Sequence, residues 1–92
     1  MTAIAVATRP RLARHVRLTY SAARERPVLL LPETVVVLNP TGAAILELCN
    51  GQRTIAQIVT ELGRRYREVP AEEVQRFLAG LAARRCVEPA DG

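Results

Sequence analysis

Val28-Leu29-Leu30-Leu31-Pro32-Glu33-Thr34-Val35-Val36-Val37-Leu38-Asn39-Pro40-Thr41 holds two apolar runs, a turn between them and a helix signal at its end. Pro32 presets φ at the first corner of a turn, so Pro32-Glu33-Thr34 predicts a hairpin. The flanking runs Val28–Leu31 and Val35–Leu38 are short and apolar, and three consecutive β-branched residues favour the extended backbone. At Asn39-Pro40-Thr41 the pattern changes: Asn39 or Thr41 can cap free backbone N–H groups, and Pro40 suits a first helical turn.

Upstream, Val16, Leu18 and Tyr20 alternate with polar residues from Arg14 onward, the period of a half-buried strand, and Ser21 to Arg26 reads as a loop. Residues 1–13 carry no usable periodicity and are expected to form a flexible arm. Downstream, Ile45, Leu48 and Cys49 share one helical face, closed by Asn50-Gly51. Thr54 with Gln57 is a capping box, opening a second helix whose stripe Ile55, Ile58, Val59, Leu62, Tyr66 runs to about Arg67. A third helix starts after Pro70 with Glu72 and Glu73 against its positive dipole end, buries Val74, Phe77, Leu78 and Leu81, and frays near Arg84-Arg85. Cys86-Val87-Glu88 is a weak strand signal before Pro89. The expected fold is therefore α+β, winged-helix-like: a three-stranded antiparallel sheet followed by three helices, with one domain over residues 14–88 and a tail over 89–92.

The 92 residues allow one compact core, and 49% apolar with 24% charged residues is a globular composition. No apolar run suits a membrane span or signal peptide, which predicts a cytoplasmic protein with no membrane partner. Cys49 and Cys86 read as buried free thiols. The net charge of +4 is uneven: residues 1–27 hold six Arg against Glu25, while residues 28–92 are close to neutral. A DNA-binding reading needs clustered positive charge on the third helix, and Glu72 and Glu73 occupy its leading end. His15 has no carboxylate nearby in sequence, and neither metal-ligand spacing nor a phosphate loop is present. No catalytic residue, cofactor or metal is expected.

What remains is binding. Both hairpin strands are apolar at every position, more than one helical layer would cover, and the third strand is expected at the sheet edge. Val35, Val36, Val37 and Leu38 include no Lys, Glu or Pro to block pairing, so an extended peptide can add there as a further strand. The pattern does not decide whether Val36 or Val37 turns its N–H outward. On the third helix, Gly80 costs helix stability and suggests a close approach, while Arg76 and Arg84 are placed to hold carboxylates. The same edge would also suit a homodimer.

The segments Pro10-Arg11-Leu12, Val16-Arg17-Leu18, Leu31-Pro32-Glu33, Leu38-Asn39-x-Thr41, Ile45-Leu46-x-Leu48-x-Asn50-Gly51, Thr54-Ile55-x-x-Ile58 and Leu62-x-x-x-Tyr66 occur in an order that resembles the PqqD family of pyrroloquinoline quinone biosynthesis. The likeness runs from about residue 10 to 88. It implies a non-catalytic peptide chaperone, a RiPP recognition element that binds the precursor peptide PqqA and presents it to the radical-SAM enzyme PqqE. By the same resemblance the peptide would pair with Val35 to Leu38 and rest on the Phe77, Gly80, Arg84 side of the third helix. Two departures are Gly42, where the family more often has Ala or Ser, and Arg85-Cys86 in place of a glycine-containing helix end.

Overall fold

The computed structural model describes residues 7–66 and 69–90. Its elements are β1 (Pro10–Leu12), β2 (Arg17–Ser21), β3 (Arg26–Leu30), β4 (Val35–Val37), α1 (Pro40–Glu47), α2 (Ile55–Arg65), α3 (Ala71–Ala83) and β5 (Val87–Pro89). The chain is thus α+β, with the expected three-stranded antiparallel sheet in the order β2-β3-β4. A second pair, β1 with β5, joins the two ends of the described chain.

That second pair revises the expected boundaries. Residues 10–12, assigned to the arm, form a strand, and Pro89, assigned to the tail, pairs with Pro10. Residues 1–6 of the arm and 91–92 of the tail lie outside the described residues. The ladder is fixed by Ala13 N–H donating to the Cys86 carbonyl at 2.9 Å and Ala90 N–H donating to that of Arg9 at 2.8 Å. Antiparallel pairs alternate between hydrogen-bonded and open, so these two bonds place Pro10 opposite Pro89 at an open pair. Neither missing N–H therefore costs a ladder bond, which is how a proline-flanked segment forms a strand after all. Arg11 and Glu88 add an ion pair across it at 2.8 Å, and Gly51 N–H reaches the Pro10 carbonyl at 2.9 Å. Gly51 has φ +82°, which glycine adopts freely, and Ala90 Cβ lies 3.0 Å from where its Cβ would stand.

The strand expected from Arg14 begins at Arg17, because residues 14–15 form a turn closed by Val16 N–H on the Ala13 carbonyl. Helix α1 is capped by Asn39, whose side chain accepts from Gly42 N–H at 2.6 Å, with Pro40 in the first turn. The α2 capping box is complete: Thr54 accepts from Gln57 N–H and Gln57 from Thr54 N–H. Thr54→Ala is expected to cost about 1 kcal/mol, lowering the thermal midpoint by roughly 4–8 °C in a calorimetric melt. Helix α3 ends where Arg85 takes φ +62°, supplying in a non-glycine residue the left-handed turn that the expected family pattern gives to glycine.

The core gathers Leu29 and Leu38 from the sheet, Ile45 and Leu46 from α1, Ile55, Ile58 and Leu62 from α2, and Val74, Leu78 and Leu81 from α3. Cys86 and Val87, at the start of the strand paired with β1, also belong to it. Helix α1 packs on β2 and β3, while α3 packs on α2 and β5. No helix among the described residues is long and apolar enough to cross a membrane.

Candidate functional site

Strand β4 is an edge, and its register decides which of its backbone groups are open. Val37 pairs with Val28, Val36 with Leu29 and Val35 with Leu30. Leu38 N–H donates to the Pro27 carbonyl at 2.9 Å, and Leu31 N–H to that of Thr34 at 3.0 Å. By alternation, residues 34, 36 and 38 bond inward to β3, and the N–H and C=O groups of Val35 and Val37 point to the open margin. Pro27 has no N–H to return to the Leu38 carbonyl, so the ladder ends there.

The side chains follow the same two-residue period. Val36 shares the core face with Leu29, while Val35 and Val37 share the outer face with Val28 and Leu30. This resolves the surplus of apolar residues in the hairpin. Val28 is 1% exposed between its partners Thr19 and Val37, but Leu30 is 38% and Val37 47% exposed. Leu38 is buried and belongs to the core, so of the four hairpin residues expected at the site it contributes packing beneath the edge.

On α3, Val74, Leu78 and Leu81 face the core. Glu73, Phe77, Gly80 and Arg84 follow one another at spacings of four, three and four, forming one stripe along the helix flank. Arg76, three residues from Glu73 and four from Gly80, borders that stripe on the side away from the core; it and Arg84 are exposed. All four α3 residues expected at the site, Arg76, Phe77, Gly80 and Arg84, therefore lie on or beside one flank of the helix. A Cβ at Gly80 would meet nothing within 4 Å, so no part of the described chain makes the close approach its sequence suggested. The close approach is at Gly42 instead, where a Cβ would lie 3.2 Å from Phe77 Cζ and 3.2 Å from Asn39 Oδ1. The departure at Gly42 is what lets the Phe77 ring lie against the start of α1.

Beside Phe77 is a groove of about 370 Å³. Its floor is Ile45 and Val74; Tyr66, Val69 and Phe77 wall it, and Asn39, Thr41 and Glu73 border it. Of these, only Phe77 was marked as a site residue from sequence. Glu73 was assigned to the helix dipole and Tyr66 to the core stripe, yet Tyr66 is 37% exposed. The one sequence signal that could have located the groove was a glycine inside the first turn of a helix.

The remaining reactive side chains lie elsewhere. His15 is exposed in the turn before β2, beside Glu33 and Pro32 of the hairpin. Among the described residues no group of three or more His, Cys, Asp or Glu could hold a metal ion. Cys49 and Cys86 are free and buried. Burial pushes the Cys49 thiol up to about 12, and its Sγ donates to the Ile45 carbonyl at 3.3 Å. Since only the thiolate is nucleophilic, a thiol reagent at pH 8 should leave Cys49 unmodified in the folded protein and label it once denaturant is added.

Residues 27–87 match the family model described as "Coenzyme PQQ synthesis protein D (PqqD)". The chain is 40% identical over 82 residues to the bifunctional coenzyme PQQ synthesis protein C/D of Methylorubrum extorquens, covering 86% of this chain and 22% of that much longer protein. It is 36% identical over 82 residues to a PqqA binding protein of Rhodopseudomonas palustris, covering 86% of this chain and 80% of that one. Among solved structures it is similar to the PqqD truncation of Methylobacterium extorquens PqqCD, a stand-alone RiPP recognition element determined by solution NMR. The two share 38% identity and a TM-score of 0.80, over 95% of this chain and 96% of that one.

Proposed function

Since the chain belongs to the PqqD family, we propose that it is a non-catalytic peptide chaperone that binds the precursor peptide PqqA by adding it as a strand to β4. The observation that carries this reading is the open margin at Val35 and Val37, an uncharged edge with two residues' N–H and C=O groups free of β3. The named PqqA-binding relative and the recognition-element structure support the choice of ligand. In this reading Val36 and Leu38 hold the edge in register from beneath. Arg76, Phe77, Gly80 and Arg84 form the wall along which the peptide lies. The loaded domain then presents PqqA to the radical-SAM enzyme PqqE in the cytoplasm.

An amide-shift titration of the whole chain with PqqA tests the site. Shifts should concentrate at residues 35–38 and along 73–84. Changes confined to α2 or to residues 7–12 would contradict it. Adding PqqE to the saturated complex should give a ternary species by size-exclusion chromatography; elution of PqqE apart from it would remove the presenting role. A homodimer is a second reading on the same observation, because an unfilled edge pairs equally well with its own copy. In that case sedimentation would depend on protein concentration, and PqqA would dissociate the dimer.

A further inference from the structure

The groove beside Phe77 combines an apolar floor and two aromatic walls, Tyr66 and Phe77, with one carboxylate. Glu73 makes no ion pair among the described residues. The nearby start of α1 would otherwise favour an anion, but Asn39 occupies its Gly42 N–H at 2.6 Å. A guest side chain that is apolar throughout would fill the floor and strip water from the Glu73 carboxylate without replacing its hydrogen bonds. A side chain with an alkyl stem and a cationic head satisfies both parts: the stem lies on Val69 and the rings, and the head meets Glu73 and the aromatic faces.

We propose that this groove is a subsite for a Lys or Arg side chain of the bound peptide, with Glu73 as its counter-charge. This deepens, and rests on, the peptide-binding reading above. The groove begins at Asn39, two residues beyond Val37 and so roughly 7 Å farther along the strand. The basic residue therefore flanks the segment paired with β4 and does not lie within it.

The test is isothermal titration of the full chain, as wild type and as Glu73→Gln, with synthetic PqqA. The peptide is used unmodified and with each Lys or Arg replaced singly by norleucine. Glu73→Gln and one of the norleucine replacements should each weaken binding by about five- to tenfold. Together they should weaken it no more than either alone. Unchanged affinity of Glu73→Gln for the unmodified peptide would overturn the subsite while leaving the edge reading intact, as would tight binding by a precursor with no Lys or Arg flanking its bound segment. Absence of any binding by the wild-type chain would remove both.

Discussion

Val37→Pro is expected to weaken PqqA binding by more than tenfold while leaving the fold nearly as stable as wild type. The register turns the Val37 N–H away from β3, so the substitution removes no bond within the sheet. It takes away one donor to the guest strand, worth about 1 kcal/mol, and places a ring where that strand must approach. Each 1.4 kcal/mol is about a factor of ten in affinity, so the two effects together exceed tenfold. Edge strands tolerate proline, and the extended backbone it demands of Val36 is the one a strand already has. Val36→Pro is the contrasting variant. It deletes the N–H directed at Leu29, leaving the carbonyl of a fully buried residue without its partner, and should lower stability by about 1–3 kcal/mol in a denaturant melt. Titration calorimetry and melts on the pair separate the two roles. Wild-type affinity in Val37→Pro would remove strand addition at this edge.

Gly80→Phe should abolish detectable PqqA binding without destabilising the domain. Position 80 belongs to the Phe77 stripe, and a Cβ there would meet nothing within 4 Å. The position is exposed, so the ring can extend toward solvent in the free chain, and replacing an interior helical glycine improves helix propensity by up to about 1 kcal/mol. The same ring would fill the space between α3 and a guest lying on β4. Gly80→Ala serves as the control: a slightly higher melting midpoint with affinity within a few-fold of wild type. If Gly80→Phe binds normally, the peptide does not lie against this flank, whatever its relation to β4.

Both expectations use information of two kinds. Local grammar reaches the hairpin around Pro32-Glu33-Thr34, the Asn39-Pro40 start of α1 and the Thr54/Gln57 box, since these depend on residues within a few positions of one another. It also marks Val35 to Leu38 as an edge able to accept a strand. It missed β1, part of the expected arm, and gave only a faint signal at Cys86-Val87-Glu88 for β5. Each becomes a strand only because the other, far away in sequence, supplies its hydrogen bonds and because the two prolines face each other at one open pair. It failed again at the groove, whose walls come from α1, α3 and the Tyr66 and Val69 segment.

Local sequence was enough for the succession of the sheet strands and helices, the capping box of the second helix, and the absence of blocking charge on the third sheet strand. These are short-range choices of dihedral angle and hydrogen-bond partner, written into each residue and its near neighbours. The assembled fold was needed to choose Asn39 over Thr41 as the α1 cap, to turn the N–H of Val37 and not that of Val36 outward, to make Gly42 and not Gly80 the close neighbour of Phe77, and to set Glu73 at the border of a groove. Those outcomes depend on pairing register and on the approach of distant helices, which are set by the packing of the whole core and have no local signature.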